Sequence, residues 1–197
     1  AAEGMGYPVV LKIVSSGILH KSDIGGVAVN LRSAEEVRAG YEGILGNLGR
    51  HGVAAPIEGM LVCRHVGGGL ELALGLHRDS EMGLVVMAGS GGVLLELVRD
   101  VAFAAPPVSP DKARDMLSRT RVSRLLMGYR GAKPCDVEAV VRGLVALGRI
   151  AADLGDAIES IDINPFVALA QGQGATALDA LVVLKHRPAI FSTRTAC

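Results

Sequence analysis

Three apolar runs, Gly59–Val66, Leu70–Leu76 and Leu84–Ala88, are separated only by Gly67-Gly68-Gly69 and by the polar segment HRDSEMG. A crossover between parallel strands needs a dozen or more residues, usually an α-helix. Separators this short therefore make the neighbouring strands antiparallel. That constraint removes a doubly wound parallel sheet from the middle of the chain and leaves an α+β arrangement, a hairpin-rich sheet covered by a few helices.

The flanking segments agree with it. Val9–Val14 is a short β-branched run and reads as a strand, followed by a polar, glycine-bearing loop over Leu19–Gly26. Ser33-Ala34-Glu35-Glu36 is a capping box. It opens a helix in which Val37, Tyr41, Ile44, Leu45 and Leu48 fall at three- and four-residue spacing, ending near Gly49. Val93–Val101 reads as a strand entered through Gly89-Ser90-Gly91-Gly92. Ser109-Pro110-Asp111 starts a second helix, with proline in the first turn. Asp136 caps a third, Val137 to about Leu154. Two last strands, Ser160–Leu169 and Ala177–Leu184, are joined by Gln171-Gly172-Gln173-Gly174. Before Val9 nothing is long enough for a covering helix, which reads as the start of a piece of a longer polypeptide. After Leu184 the sequence KHRPAIFSTRTAC reads as a loose tail.

Composition excludes several function classes. Twenty Lys and Arg balance twenty Asp and Glu, and no basic run exceeds two residues, so nucleic acid and anionic membranes are poor partners. With three Tyr, three Phe and no Trp, platforms for stacking bases are nearly absent. No apolar stretch approaches a membrane span, and AAEGMGYPVV lacks the features of a signal peptide. Cys63, Cys135 and Cys197 form no CxxC and no even set, which fits a reducing cytoplasm.

The chemistry gathers at strand ends. Gly89-Ser90-Gly91-Gly92 lacks the third glycine of a dinucleotide fingerprint, and GxxxxGK[ST] is absent. Lys12 interrupts a strand that otherwise wants burial, so its ammonium must reach water or meet an anion. Taken alone, an edge-strand lysine in water explains it. It is followed, however, by Ser22-Asp23-Ile24-Gly25-Gly26, whose backbone amides could close over phosphate oxygens. His20 rides on that loop with Lys21 and Asp23 beside it to orient or charge it; a lone loop histidine is more often simply solvated. Asp162-Ile163-Asn164-Pro165 sets two oxygen-bearing side chains on one strand face, and a hairpin would bring Asp179 beside Asn164. A carboxylate with an amide oxygen suits Mg²⁺, which leaves the remaining positions to water and phosphate. Asn-Pro as turn chemistry and Asp179 as a surface charge would explain each singly. Together the features describe an ATP site built between sheets.

The strings GYPVVLKI…ILHKSDIGGV, GLELALGLHRDSEMGLVVMAGSGGVLLELVRDV, LLMGYRG and ESIDINPFVAL…ALDALVVL, in that order over residues 4 to about 185, resemble the ATP-grasp domain of NDP-forming acyl-CoA synthetases. These are the ADP-forming acetate–CoA ligases, relatives of succinyl-CoA synthetase. The resemblance implies an ATP-grasp fold with ATP between two lobes bearing mostly antiparallel sheets, the N-terminal part of the first lobe missing. It divides the chain into residues 1–58 with the phosphate and histidine loop, a second lobe at 59–185, and a tail at 186–197. It implies phosphoryl transfer between ATP or ADP and acyl-CoA through phosphohistidine at His20, an acid–thiol ligase activity incomplete without a CoA-binding partner domain or subunit. Lys12, Gly25 and Gly26 then face phosphates, Cys63 and Arg64 offer backbone to adenine, and Glu71 lies close to the nucleotide, at the ribose. Asn164 and Asp179 match the Mg²⁺ ligands. Glu96, Arg130 and Asp162 are further candidates.

Two positions depart from that pattern. Arg64 in Val62-Cys63-Arg64-His65-Val66 replaces an acidic residue expected to face the nucleotide, and SSGILHKSD replaces the commoner SPDILHKSD. Arg64 and the missing segment favour a second reading, a non-catalytic ATP-grasp module fused to or partnered with an acetyltransferase as sensor or assembly surface. A third, a carboxylate–amine ligase, is opposed by the HKSDIGGV histidine.

Overall fold

The structure is a computed structural model that describes residues 1–15, 17–18, 21–92 and 100–185. By internal contacts the chain forms two units, Ala1–Gly67 and a second beginning at Gly68.

In the first unit, β1 (Val9–Val14) lies between β2 (Val27–Leu31) and β3 (Gly59–Arg64), both antiparallel to it. β1 buries Val9, Val10, Leu11 and Ile13 and leaves Lys12 half-buried, so the apolar run is a central strand with one polar interruption. Helix α2 (Ala34–Arg50) covers one face, placing Ile44 and Leu48 against Leu11 and Ile13. The capping box forms with one change from the ordinary reciprocal pair. Ser33 Oγ accepts the Glu36 N–H at 3.2 Å, but the Glu36 carboxylate reaches one residue further back, to the Arg32 N–H at 2.7 Å. Ahead of β1 stands a single helical turn, α1 (Ala2–Met5), which buries nothing of its own and so is no covering helix. The 58/59 boundary expected from sequence falls just before β3, whereas the contact division comes later, at Gly67, because β3 pairs along its length with β1.

The second unit carries the hairpins. β4 (Leu70–Asp79), β5 (Gly83–Ser90) and β6 (Val101–Ala104) form a meander, the Asp79 carboxylate closing the first turn by accepting the N–H groups of Glu81 and Met82 at 2.9 and 2.8 Å. Helices α3 (Pro110–Ser118), α4 (Val122–Leu126) and α5 (Val137–Leu154) follow, then β7 (Ile158–Ala168), β8 (Ala175–Ala177) and β9 (Leu181–Leu184). The strand order is β6-β5-β4-β7-β8, with β9 also paired to β7 and every named pairing antiparallel. Leu72, Leu74, Leu76 and Val86 pack against Val140, Val141 and Leu144 of α5 and Met116 of α3. Burying each of these aliphatic side chains is worth about 1.5–3 kcal/mol.

Three expectations change here. The runs Gly59–Val66 and Leu70–Leu76 do not pair across Gly67-Gly68-Gly69: β3 pairs with β1 in the first unit and β4 with β5 and β7 in the second, so the glycines link two sheets instead of turning a hairpin. The last strand is not continuous over Ala177–Leu184, because a bend at residues 178–180 splits it into β8 and β9. Of the expected strand Val93–Val101, residues 93–99 lie outside the described residues, and the pairing strand β6 starts at Val101.

Candidate functional site

In the first unit the register of β1 and β3 decides which side chains share a face. Val9 stands opposite Arg64, Leu11 opposite Val62 and Ile13 opposite Met60, whereas Val10 pairs with Cys63 and Lys12 with Leu61. Side chains alternate along a strand, so Arg64 falls on the face covered by α2, and Cys63 and Leu61 share the face of Lys12. Arg64 therefore does not confront whatever Lys12 meets.

The backbone alternates as well. His65 donates its N–H to the Pro8 carbonyl at 3.1 Å, which turns Cys63, two residues back, toward β1. Arg64 and Val62 turn their peptide groups to the outer edge of the sheet, where β3 is the terminal strand. Of the two residues expected to offer backbone to a base, Arg64 is the one placed to do so.

The glycine loop is tied down more tightly than its composition foretells. Gly26 donates its N–H to the Lys21 carbonyl at 2.7 Å and Gly25 to that of Ser22 at 3.0 Å. Asn47 of α2 donates to the Gly25 carbonyl at 3.0 Å, and the Gly26 carbonyl accepts the Ile13 N–H at 3.0 Å. The two amides expected to receive phosphate oxygens thus close the turn itself. His20, on the same loop, lies outside the described residues, as does Glu96.

In the second unit, the pairing of β7 with β4 slips by one residue between Leu72/Phe166 and Leu74/Ile163. The extra residue is a β-bulge at Asn164-Pro165. Proline has no N–H for a ladder, so a bulge is where a central strand can hold it, and a bulge re-aims the adjoining side chain. Asn164 is half-buried and its Oδ1 accepts the N–H of Gly92 at 3.0 Å. On the other edge of β7 the register is the same before and after the bulge, Phe166 facing Ala177 and Asp162 facing Leu181, and shifts only further back, between Ile158 and Ser160. The same register sets Asn164 against Asp179, which sits in the bend between β8 and β9 with its Oδ1 accepting the Ala180 N–H at 3.1 Å. The strand expected to carry Asp179 beside Asn164 is thus broken at Asp179 itself.

Glu71 joins this group. Its neighbour across the sheet is Val167, its carbonyl accepts the Gly91 N–H at 3.1 Å, and its Oε2 lies 2.5 Å from where a Cβ on Gly92 would stand. Asp162 is exposed and paired by register with Gly75 and Leu181. Arg130 is exposed in the loop between α4 and α5, with its guanidinium 5.4 Å from the Tyr129 ring centroid. Among the described residues no hydrogen bond or ion pair links it to Asn164.

Among the described residues no cluster of three or more His, Cys, Asp or Glu side chains is arranged to hold a metal ion. The donors that do face each other are one amide and one carboxylate. That set fits Mg²⁺, which takes one or two protein oxygens and fills its octahedron with water and phosphate oxygens. It fits zinc poorly, since zinc calls for histidine or thiolate.

Two acids hold the frame around these residues, one unremarked in the sequence and one read there only as a cap. Asp100 accepts the N–H groups of Arg121 and Val122 at 2.7 and 2.9 Å and the Ser90 hydroxyl at 3.0 Å, joining the end of β5 to the start of α4. Burial, the largest single influence, pushes its carboxyl up, but these donors and the Arg121 charge together hold it below the usual carboxylate range. Asp136 was expected only as a helix cap. It accepts the Ala139 N–H at 3.0 Å and also that of Gly174 at 2.9 Å, in the turn after β7. The Gly174 amide foremost, then that of Ala139, lowers its carboxyl pKa. No local pattern announces a partner so distant in sequence.

Residues 1–184 match the model of the ATP-grasp domain family. The chain is 36% identical over 184 residues to the acetate–CoA ligase (ADP-forming) II subunit beta of Pyrococcus furiosus, covering 93% of this chain and 78% of that one. It is 38% identical to the 4-hydroxybutyrate–CoA ligase (ADP-forming) of Nitrosopumilus maritimus, of which it spans only 26%. Among solved structures, the acetyl-coenzyme A synthetase of Ca. Korarchaeum cryptofilum, in complex with coenzyme A and Ca-AMPCP, superimposes with a TM-score of 0.86 at 44% identity, over 93% of this chain and 79% of that one. A second structure of that enzyme, with Mg-AMPPCP and its phosphohistidine segment pointing towards the nucleotide binding site, gives 0.77 at 41% identity over 93% and 79%. The antiparallel sheets, the hairpin order and these likenesses agree: the chain belongs to the ATP-grasp domain family, among the domains and beta subunits of the ADP-forming acyl-CoA ligases.

Proposed function

We propose that this chain is the nucleotide-binding component of an ADP-forming acyl-CoA synthetase, passing a phosphoryl group between ATP or ADP and acyl-CoA by way of phosphohistidine at His20. The observation that carries the reading is the likeness over nearly the whole chain to a synthetase with a phosphohistidine segment, joined to the histidine in ILHKSDIGG. In the nucleotide-forming direction the N–P bond to His20 breaks as ADP attacks the phosphorus, and the electron pair returns to the imidazole. An imidazole suits the role, because it is nucleophilic near neutral pH and its N-phosphate stays labile. Lys12 neutralises phosphate charge, the outer edge of β3 at Arg64 offers peptide groups to the base, and Glu71 binds on the nucleotide side. Asn164 and Asp179 would hold Mg²⁺, which when bound draws charge from the phosphate oxygens. The protein's share is positioning and charge.

Acyl chemistry needs a CoA-binding partner, domain or subunit, and the setting is the cytoplasm. Two of the relatives are themselves beta subunits, which supports the partner. No helix of the described residues is long and apolar enough to cross a membrane. The test is labelled ATP with Mg²⁺ and the assembled enzyme. An acid-labile, base-stable phosphate should appear on the wild type and vanish in His20→Ala, with ATP affinity nearly intact. A His20→Ala enzyme that turns over at the wild-type rate would overturn the reading.

A further inference from the structure

Gly92 makes two contacts that no other residue type could make together. Its N–H, a donor only, meets the side chain of Asn164 at 3.0 Å, so the atom facing it must be the amide oxygen, and the carboxamide is fixed in one of its two flips. Its missing side chain leaves the space in which Glu71 Oε2 lies, 2.5 Å from the position of a Cβ. Its φ of +58° is one that side-chain-bearing residues adopt at a cost. We propose that Gly92 is a positioning residue that couples the metal side of the site to the nucleotide side, by orienting Asn164 through its N–H and seating Glu71 against its bare α-carbon.

The physical consequence is specific. A carbonyl oxygen has two lone pairs, and the Gly92 N–H occupies one and leaves the second for a cation. With the flip fixed, the oxygen is presented without first having to be selected from two amide orientations. An alanine here would push the Glu71 carboxylate aside, a flexible end that gives way easily, and would strain the peptide whose N–H holds Asn164. The chain should still fold, while both sides of the site lose their setting at once. Outer contacts that orient a metal ligand are worth about 10–100-fold in metal affinity.

This inference rests on the Mg·ATP reading, and its experiment separates the two. Binding of a fluorescent ATP analogue to the full chain is titrated with Mg²⁺ for wild type, Gly92→Ala and Gly83→Ala. Gly83 is the control, because it too has a positive φ, +72°, in the same unit, but nothing lies within 4 Å of its would-be Cβ. Both variants carry backbone strain, so thermal melting should fall in both. Only Gly92→Ala should raise the Mg²⁺ concentration for half-saturation, by about tenfold or more. In a Glu71→Ala background the same substitution should still raise it, because the Asn164 contact is separate from the steric one. If Gly92→Ala and Gly83→Ala titrate alike, the positioning role falls and the Mg·ATP reading stands. If the wild type shows no Mg²⁺-dependent binding, both fall.

Discussion

The register that pairs Phe166 with Ala177 and Asp162 with Leu181 sets Asn164 opposite Asp179, at a bulge in one strand and a break in the other. Asn164 is in the bulge of β7, and Asp179 is in the bend that parts β8 from β9. Paired residues flank both positions, while Asn164 holds the Gly92 N–H and Asp179 the Ala180 N–H. Asp179→Ala should abolish the Mg²⁺ dependence of ATP binding and leave a weak, metal-independent affinity through Lys12. Calorimetry with and without Mg²⁺ reads this directly, and an unchanged metal dependence would place the ion elsewhere.

The faces of β3 give a second expectation. Because Arg64 lies on the α2 side of the sheet and Cys63 on the Lys12 side, Arg64→Glu should leave Mg·ATP affinity within about 0.5 kcal/mol of wild type, as for other substitutions away from special features. Cys63→Trp, projecting bulk beside Lys12, should weaken binding sharply. Competition titrations on the two variants decide it, and tight dependence on the charge at Arg64 would show that the strand register reverses these faces.

Stability should fall in acid through Asp100. Its folded-state pKa is depressed, so its contribution is complete above the ordinary carboxylate pKa, about 3.9, and is lost as pH drops through the lower folded value. Asp100→Ala should cost about 1–3 kcal/mol near neutral pH by leaving the Arg121 and Val122 amides and the Ser90 hydroxyl without their acceptor. The variant's stability should also change less with pH below 4. Urea melts at stepped pH provide the comparison.

The core should answer to size. Leu74 is fully buried between the β4–β5 sheet and α5, and Leu74→Ala should cost about 2–5 kcal/mol. Denaturant midpoints measure the loss, and a cost below 1 kcal/mol would mean that the sheet collapses onto the cavity.

These expectations also mark what the sequence could tell. The β4–β5 hairpin was legible because a short loop favours antiparallel pairing, and the caps at Ser33, Ser109 and Asp136 because capping is local chemistry. The pairing expected across Gly67-Gly68-Gly69 misled, because that glycine run ends one unit and begins the next, with β3 paired to β1 and β4 to β5 and β7. The register of β7 with the segment after its turn was legible too, since a turn between two strands sets which residues lie opposite, but the break of that segment at residues 178–180 was not. The face of Arg64 was not, because one step of register reverses every side chain and nothing in VCRHV fixes that step. The fate of the Gly25 and Gly26 amides was hidden for another reason: glycine announces a turn without saying whether its N–H groups point in or out. Asp100 and Gly92 act through partners on other elements, which only the fold assembles.

Gln171-Gly172-Gln173-Gly174 has the composition of an expendable linker, the kind of site where an insertion or a circular permutation is usually attempted. Its last amide nevertheless ends on Asp136, 38 positions earlier, the carboxylate that also caps α5. Lengthening that turn would therefore loosen the front of the helix that floors the second unit's core. An insertion at residues 80–82 would disturb only the local bonds of Glu81 and Met82 to Asp79, within the hairpin itself.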